Sequence, residues 1–468
     1  MCGIAGEITF GSHEPDREAV TRMLARMTHR GPDDFGLHVE KGLVLGHRRL
    51  TIIDLSDQSS QPMVDAETGV ALTFNGEIYN YVELRSDLAA LGHIFSTSGD
   101  TEVLLRAWLE WGEGALDRLN GMFAFAIVDL RRRRALFARD PVGQKPLFYR
   151  HYENGFVFAS ELQALLEHPR VPRSVNPNSV CQYLVYEGFV DDACILDGVS
   201  RLPPGTMLLI DLDSGQSQQR QYWASEPRNH ATVASDPGPA DMDALETVLR
   251  EAVSRHLRSD VPVGVYLSGG IDSNLIATLA CDMLPPESIN TFTVRHSEKS
   301  FDEADQAKWT AERLGTTHRE MLLTSELLLE SVPRILDTLD EPLADPGLVS
   351  IYQIANFASQ HVKVVLSGDG GDEFFYGYAP FHKWQLSERI AAMPRWVSRG
   401  MMRPMIDRLP AQFGYMGTFY KAQVFARGFG LPESIRNMAW LGAFDAAELR
   451  ELIRDGGDLD ALRTDDEG

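Results

Sequence analysis

Hydrophobic and polar positions alternate in short runs through the first half of the chain. GLVLGHRRLTII, GVALTFNGEIY, MFAFAIVDL, ALFARD and GFVFASE each read as a strand, and turn residues punctuate them. Two stretches between them, REAVTRMLARMTH and TEVLLRAWLEWG, place apolar residues at helical spacing instead. Strands covered by amphipathic helices predict a layered α/β sandwich over residues 2–222. From Ala224 to Asp243 the apolar period is lost in a text rich in Pro, Ser, Ala and Asp, so 223–243 reads as a linker. Beyond it, VPVGVYL, SNLIATLACDM, INTFTV, EADQAKWTAERL and VKVVLSG alternate strand with helix, the rhythm of parallel βαβ units. The expected fold class is therefore α/β: a layered αββα sandwich, then a doubly wound parallel domain over 244–468 that ends in helices after Gly377.

Composition narrows the classes of function. The 468 residues are enough for two cores, and 44% hydrophobic with 24% charged residues is ordinary for a globular enzyme. No run approaches the ~20 apolar residues that cross a bilayer. The opening MCGIAGEITF lacks the basic and long apolar regions of a secretory signal, which makes the cytoplasm the expected location. Forty-four basic against 67 acidic residues leave a formal charge of −23, which argues against broad nucleic-acid binding. The run Arg131 to Arg134 sits between two apolar stretches and reads as a solvated hairpin turn. Cys2, Cys181, Cys194 and Cys281 show neither CxxC pairing nor metal-ligand spacing, so no disulfide framework or zinc site is expected.

Cys2 follows the initiator methionine. Removal of Met1 would leave a cysteine whose own α-amine, with a pKa of ~7.7 to 8.0, stands beside its thiol as a general base. MCGIAG, HRGPDD, LGHRRLTIID, TFNGEIYNY and SGDTEVLL occur in this order within the first 105 residues. Together they resemble class II glutamine amidotransferases, whose nucleophile is N-terminal. A thiolate attacking a carboxamide needs an oxyanion stabiliser, and Asn75 with Gly76 offers a side-chain NH₂ and an unhindered backbone N–H. The resemblance implies that these two form the oxyanion hole. It also implies that Arg49 takes the glutamine α-carboxylate, while Glu77 and Asp100 take the α-ammonium.

In the second half, SGGIDS directly follows an apolar strand and precedes a helix. Backbone N–H groups of Ser268, Gly269, Gly270, Asp272 and Ser273 can there converge on a phosphate. No GK dipeptide exists, which excludes a Walker A loop. SGGIDS instead resembles the pyrophosphate loop of ATP pyrophosphatase-type synthetases. VKVVLSGDGGDEFFYGY ends a second strand in a Gly-rich acidic loop carrying Ser367, Gly368, Asp369, Asp372 and Glu373. With TFTV ending at Val294, FDEA at 301–304 and DEPLADPGLVS at 340–350, this text resembles the asparagine synthetase family over about residues 1–380. The resemblance implies ATP as a substrate bound by Ser268, Gly269, Gly270, Asp272, Ser273, Val294, Ser367 and Gly368. It further implies Mg²⁺ on Asp272 and Asp372, and an acceptor carboxylate near Asp369.

Three departures from the family pattern stand out: Asn274 replaces a usual Ser, Gln144 replaces an apolar residue, and a later lysine-bearing helical segment is not found before Gly468. An incomplete synthetase domain is expected on the last ground, with Lys383 the first candidate for an equivalent cation. The function implied is glutamine hydrolysis at Cys2, passage of ammonia between domains, and its attack on an acyl-adenylate of aspartate. Another carboxylate acceptor in polysaccharide or natural-product synthesis is the near alternative, and a noncatalytic glutamine- and nucleotide-binding protein the distant one. Intact Cys2, Asn75 and Asp272 argue against the latter. Expected partners are glutamine, ATP and the carboxylate, with a homodimer carried as the oligomer expectation.

Overall fold

Side chains on a strand point alternately to its two faces, so the buried runs of the first half must be covered on both sides. The computed structural model, which describes residues 1–190, 192–225, 238–297, 302–378, 384–410, 417–431 and a few positions between 436 and 452, shows how. The chain forms two units, Met1–Ser174 with Asp191–Pro262, and Val175–Val190 with Val263–Gly468.

The first unit holds β1 (Gly3–Thr9), β2 (Asp34–Glu40), β3 (Leu43–Arg49), β4 (Met63–Val64), β5 (Val70–Ile78) and β6 (Gly121–Asp129). It continues with β7 (Arg134–Arg139), β8 (Phe148–Tyr152), β9 (Gly155–Ala159), β10 (Ser200–Arg201), β11 (Thr206–Asp211) and β12 (Ser217–Gln221). Its helices are α1 (Arg17–Arg26), α2 (Tyr81–Ala90), α3 (Asp100–Trp111) and α4 (Leu162–Leu165); α5 (Pro177–Tyr186) belongs to the second unit and α6 (Pro239–His256) to the first. One antiparallel sheet runs β10-β8-β9-β1-β3-β2 and the other β12-β11-β7-β6-β5-β4.

Ile4, Ile8, Leu43 and Leu45 of one sheet meet Ala71, Ala124, Ala126, Val128 and Phe137 of the other in a core between the sheets. The alternate positions face outward onto helices. Ala5 and Val44 pack with Val20, Met23 and Leu24 of α1 and Leu162 of α4, while Val70, Leu72 and Phe74 pack with Leu84 of α2 and Val103 and Leu104 of α3. This is the four-layer αββα sandwich. Asp129 pairs with Arg134 across the β6–β7 turn, and Arg133 takes the left-handed conformation (φ 52°), so the arginine run is a hairpin turn.

Residues 239–243, read above as linker, are helical instead. Pro239 begins α6, where its missing N–H costs nothing, and the Asp241 carboxylate accepts from the Gly238 N–H at 2.9 Å. Capping at this start outweighs the missing apolar period. Residues 226–237 of the expected linker lie outside the described residues.

In the second unit, β13 (Val263–Tyr266), α7 (Ile271–Met283), β14 (Asn290–His296), α8 (Ala304–Leu314) and β15 (Thr317–Leu323) alternate. They are followed by α9 (Ser325–Thr338), α10 (Leu348–Ser359), β16 (Val364–Leu366) and α11 (Gly371–Phe375). All pairings of the sheet β15-β14-β13-β16 are parallel. The order reverses at β13, and in open parallel sheets ligands bind beyond the carboxyl ends of strands at such a reversal. Shorter helices follow Gly377, among them Trp384–Ala391 and Thr418–Arg427. Among the described residues no helix is long and apolar enough to cross a membrane.

Phe137 is fully buried between the sheets against Phe156 and Phe158. Phe137→Ala should destabilise the first unit by about 3–5 kcal/mol, read as a lower urea midpoint of its unfolding transition, with no effect expected on the unfolding of the second unit.

Candidate active site

The inward-facing series on three strands runs on past the apolar core into polar residues. On β3 it continues from Leu43 and Leu45 to His47 and Arg49; on β5 from Ala71 to Thr73, Asn75 and Glu77; before β1 it reaches Cys2. A cavity of about 70 Å³ is lined there by Cys2, Arg49, Asn75, Gly76, Glu77 and Asp100, together with Met1, Gln61 and Lys145 among others. All six residues expected at the glutamine site therefore meet in one place, with room for a small polar molecule.

Each is held by its local structure. The Cys2 Sγ accepts from the Leu50 N–H at 3.4 Å, and Arg30 Nε donates to the Cys2 carbonyl at 2.8 Å. Burial pushes the Cys2 thiol up and lowers the Met1 α-amine to about 6. Any side chain at Gly76 would run into the Met122 carbonyl and Phe123 Cα of β6, so glycine is required by the close approach. Arg49 is buried, with its guanidinium donating to the carbonyls of Ser56 (2.9 Å) and Asp54. Asp100 opens α3, and its Oδ2 accepts from the Ile78 N–H at 3.0 Å.

Among the described residues, Asn75 and Glu77 carry buried polar atoms in this cavity with no hydrogen-bond partner. Both the amide oxygen and the amide nitrogen of Asn75, which is 1% exposed, lack a hydrogen bond, as does Oε1 of Glu77. A buried amide with neither half satisfied is costly unless a ligand completes it. Glu77 is pushed up to about 8 by burial and by the neighbouring Asp100, which burial itself raises to about 6. Two carboxylates desolvated in one cavity call for a cation between them.

In the second unit the two glycine loops leave adjacent parallel strands, β13 and β16. The first is braced by its own side chains: Ser268 N donates to Ser273 Oγ and Gly270 N to Ser268 Oγ, both at 3.1 Å. Gly269 N donates to the Glu303 carboxylate at 3.1 Å, so three of the five loop amides already hold protein oxygens. Asn274, the departure from family pattern, donates from Nδ2 to the Ser268 carbonyl at 3.0 Å and reinforces the loop. Asp272 lies against the second loop, since a Cβ on Gly371 would come within 2.5 Å of its Oδ2 and one on Gly368 within 3.0 Å of its Cβ. Asp372 follows Gly371 directly, and Ser367 Oγ donates to Asp369 Oδ2 at 2.8 Å. Val294 stands on β14, next to β13. Among the described residues no three His, Cys, Asp or Glu group together as a metal cluster. Lys383, like Phe301 of the FDEA segment, lies outside the described residues.

Two family models match the chain: a glutamine amidotransferase domain over residues 1–223 and asparagine synthase over 244–455. A protein of Methanocaldococcus jannaschii provisionally named glutamine-hydrolysing asparagine synthetase 2 is 31% identical over 417 residues, covering 85% of this chain and 79% of that one. The chain belongs to the glutamine-hydrolysing asparagine synthetase family. Asparagine synthetase 1 of Bacillus subtilis is 37% identical over 388 residues, covering 81% of this chain and 59% of its own. A Mycobacterium bovis protein provisionally named for the same activity is 36% identical over 421 residues, covering 86% of this chain and 64% of its own. The chain thus spans less than two thirds of the length of these two relatives.

Against that family background, sequence reasoning missed Arg30, Gln61 and Lys145 at the first site and Glu303 at the second. Arg30 lay inside the quoted motif HRGPDD and Lys145 directly after Gln144, and a lysine or arginine flanked by glycine and proline turns was the available signal. Gln61, whose Oε1 accepts from the Phe74 N–H at 2.7 Å, carried none.

The carboxylate pair gives a sign that can be checked. An α-ammonium entering the cavity favours the charged form of Glu77, which is mostly protonated at pH 7 when its pKa is about 8. Binding of L-glutamine to a Cys2→Ala variant should therefore release a large part of one proton at pH 7 and progressively less above pH 9. Calorimetry in buffers of different ionisation enthalpy measures this, and proton uptake at pH 7 would contradict the assignment.

Proposed function

We propose that the chain hydrolyses glutamine at Cys2 and directs the ammonia to an ATP-activated carboxylate, with aspartate the acceptor and asparagine the product. The observation that carries this is the Asn75 amide, buried, without a hydrogen-bond partner among the described residues, and lining the same cavity as Cys2. An orphaned amide beside a nucleophile suits a site whose ligand supplies the missing bonds.

Once Met1 is removed, the Cys2 thiol gives its proton to the Cys2 α-amine, and the thiolate attacks the glutamine side-chain carbonyl carbon. Negative charge gathers on the former carbonyl oxygen, where Asn75 Nδ2 and the Gly76 N–H donate to it. The Cys2 α-ammonium so formed then protonates the departing nitrogen, ammonia leaves, and water cleaves the γ-glutamyl thioester to glutamate. Arg49 holds the α-carboxylate and the Glu77 and Asp100 pair the α-ammonium, fixing the carboxamide over Cys2. Residues 2–222 would carry this half-reaction.

In residues 244–468, the amides of Ser268, Gly269, Gly270, Asp272 and Ser273 would cradle the phosphates, exchanging the hydroxyl and Glu303 oxygens they now hold for phosphate oxygens. Val294, Ser367 and Gly368 would line the nucleotide, and Asp369 would face the acceptor. Asp272 and Asp372 present only carboxylate oxygens on neighbouring loops, a donor set suited to Mg²⁺, which would shield the charge on the departing pyrophosphate. Ammonia attack on the acyl carbon releases AMP and leaves the amide.

Glutamate release, pyrophosphate release and product mass are measured on the purified protein with glutamine, ATP and aspartate. Cys2→Ala should abolish glutamate release, and Asn75→Ala should lower its kcat by about 10²–10³. Asp272→Asn and Asp372→Asn should suppress pyrophosphate release and leave glutamate release unchanged. Amide formation on a carboxylate other than aspartate would replace the acceptor, and normal glutamate release by Cys2→Ala would overturn the proposal.

A further inference from the structure

Lys145 is buried in the wall of the cavity that holds Cys2, at 6% exposure. Its ammonium meets the Met1 Sδ at 3.4 Å, and Arg30 reaches the same sulfur at 3.9 Å. Among the described residues Lys145 forms no ion pair. An unpaired buried cation is among the most expensive side chains a core can hold, and such groups concentrate where chemistry uses them.

Its backbone is fixed at both ends. The Lys145 N–H donates to Asp140 Oδ2 at 2.9 Å, and its carbonyl accepts from Arg139 Nε at 2.8 Å. Asp140 also takes the Gln144 N–H at 2.9 Å and the Phe123 N–H at 3.2 Å, so one carboxylate ties the loop after β7 to β6. Such bracing aims the side chain into the cavity. The charged groups acting on it come from every neighbouring element: Arg30 after α1, Asp140 after β7, Cys2 before β1 and Glu77 on β5.

We propose that Lys145 is a positioning residue of the glutaminase step, its ammonium stabilising the Cys2 thiolate and keeping the neighbouring α-amine neutral until the thiol proton arrives. It rests on Cys2 being the glutaminase nucleophile. A cation beside the pair favours the thiolate over the thiol and the amine over the ammonium, so transfer of the proton from sulfur to nitrogen leaves a nucleophile held by charge. The ammonium so formed is a stronger acid for the departing nitrogen. The same arrangement already lowers the Met1 α-amine, with burial the largest cause and Arg30 and Lys145 both contributing. Lys145 transfers no proton itself.

The test compares wild type, Lys145→Met, Lys145→Arg and Lys145→Gln, each with Met1 removed. Two profiles are recorded: Cys2 alkylation by iodoacetamide against pH, which needs no glutamine turnover, and kcat/KM for glutamine against pH. Loss of the cation raises both the thiol and the amine pKa. In Lys145→Met the alkylation midpoint and the acid limb of kcat/KM should both move to higher pH by about one unit, with kcat lowered and KM for glutamine little changed. Lys145→Arg should restore both profiles, and Lys145→Gln repeats the test should the methionine variant fail to fold. Folded variants whose alkylation profile matches wild type would overturn the proposal, as would a change in KM alone. Because alkylation is read without glutamine, a protein that fails to hydrolyse glutamine counts against Cys2 as glutaminase nucleophile, while the alkylation profile still decides the role of Lys145.

Discussion

The two-residue period of the strands is the constraint on which the first unit depends. Ile4, Leu43, Leu45 and Ala71 must face inward to fill the space between the sheets, and shifting any of these strands by one residue would turn its entire series onto the helices. The same period commits Cys2, Arg49, Asn75 and Glu77 to the interior, at one end of the sandwich where the apolar series stops. That end is thus placed by the packing of the core, with Arg49 on β3, Asn75 and Glu77 on β5, and Cys2 just before β1.

Desolvation is what gives that end its chemical character. It raises Glu77 and Asp100, raises the Cys2 thiol, and lowers Lys145 to about 8 and the Met1 amine to about 6. Left without ligand, the cavity therefore holds carboxylates that resist ionising and amines that resist protonation. A zwitterionic amino acid would answer the first of these, because its ammonium restores the ionised forms of Glu77 and Asp100 while its carboxylate pairs with Arg49. The second unit works on another principle. Its loops lie at the carboxyl ends of β13 and β16, and glycines at 368 and 371 leave room for Asp272 between them.

Much of this was legible in the sequence because the features are local. Alternation in GVALTFNGEIY predicts β5 and assigns Asn75 and Glu77 to one face. The order of motifs around Cys2 names the family. What was not legible depends on partners distant along the chain. Lys145 looks like one residue in a turn until its loop is tied to β6 by Asp140, and Glu303 looks like part of a helix start until it accepts from Gly269, 34 residues earlier. The start of α6 was missed because proline and an acidic cap, rather than an apolar period, begin it.

The proposed chemistry rests on Cys2, freed of Met1, being the nucleophile of a preorganised amide-hydrolysing site. The direct measurement is covalent labelling with a glutamine analogue carrying a diazoketone in place of the carboxamide, followed by peptide mapping. A single adduct on an N-terminal Cys2, suppressed by L-glutamine and formed far more slowly in Asn75→Ala, is the predicted result. Labelling that falls instead on Cys181, Cys194 or Cys281, or an unlabelled Cys2 in folded protein, would contradict that role for Cys2.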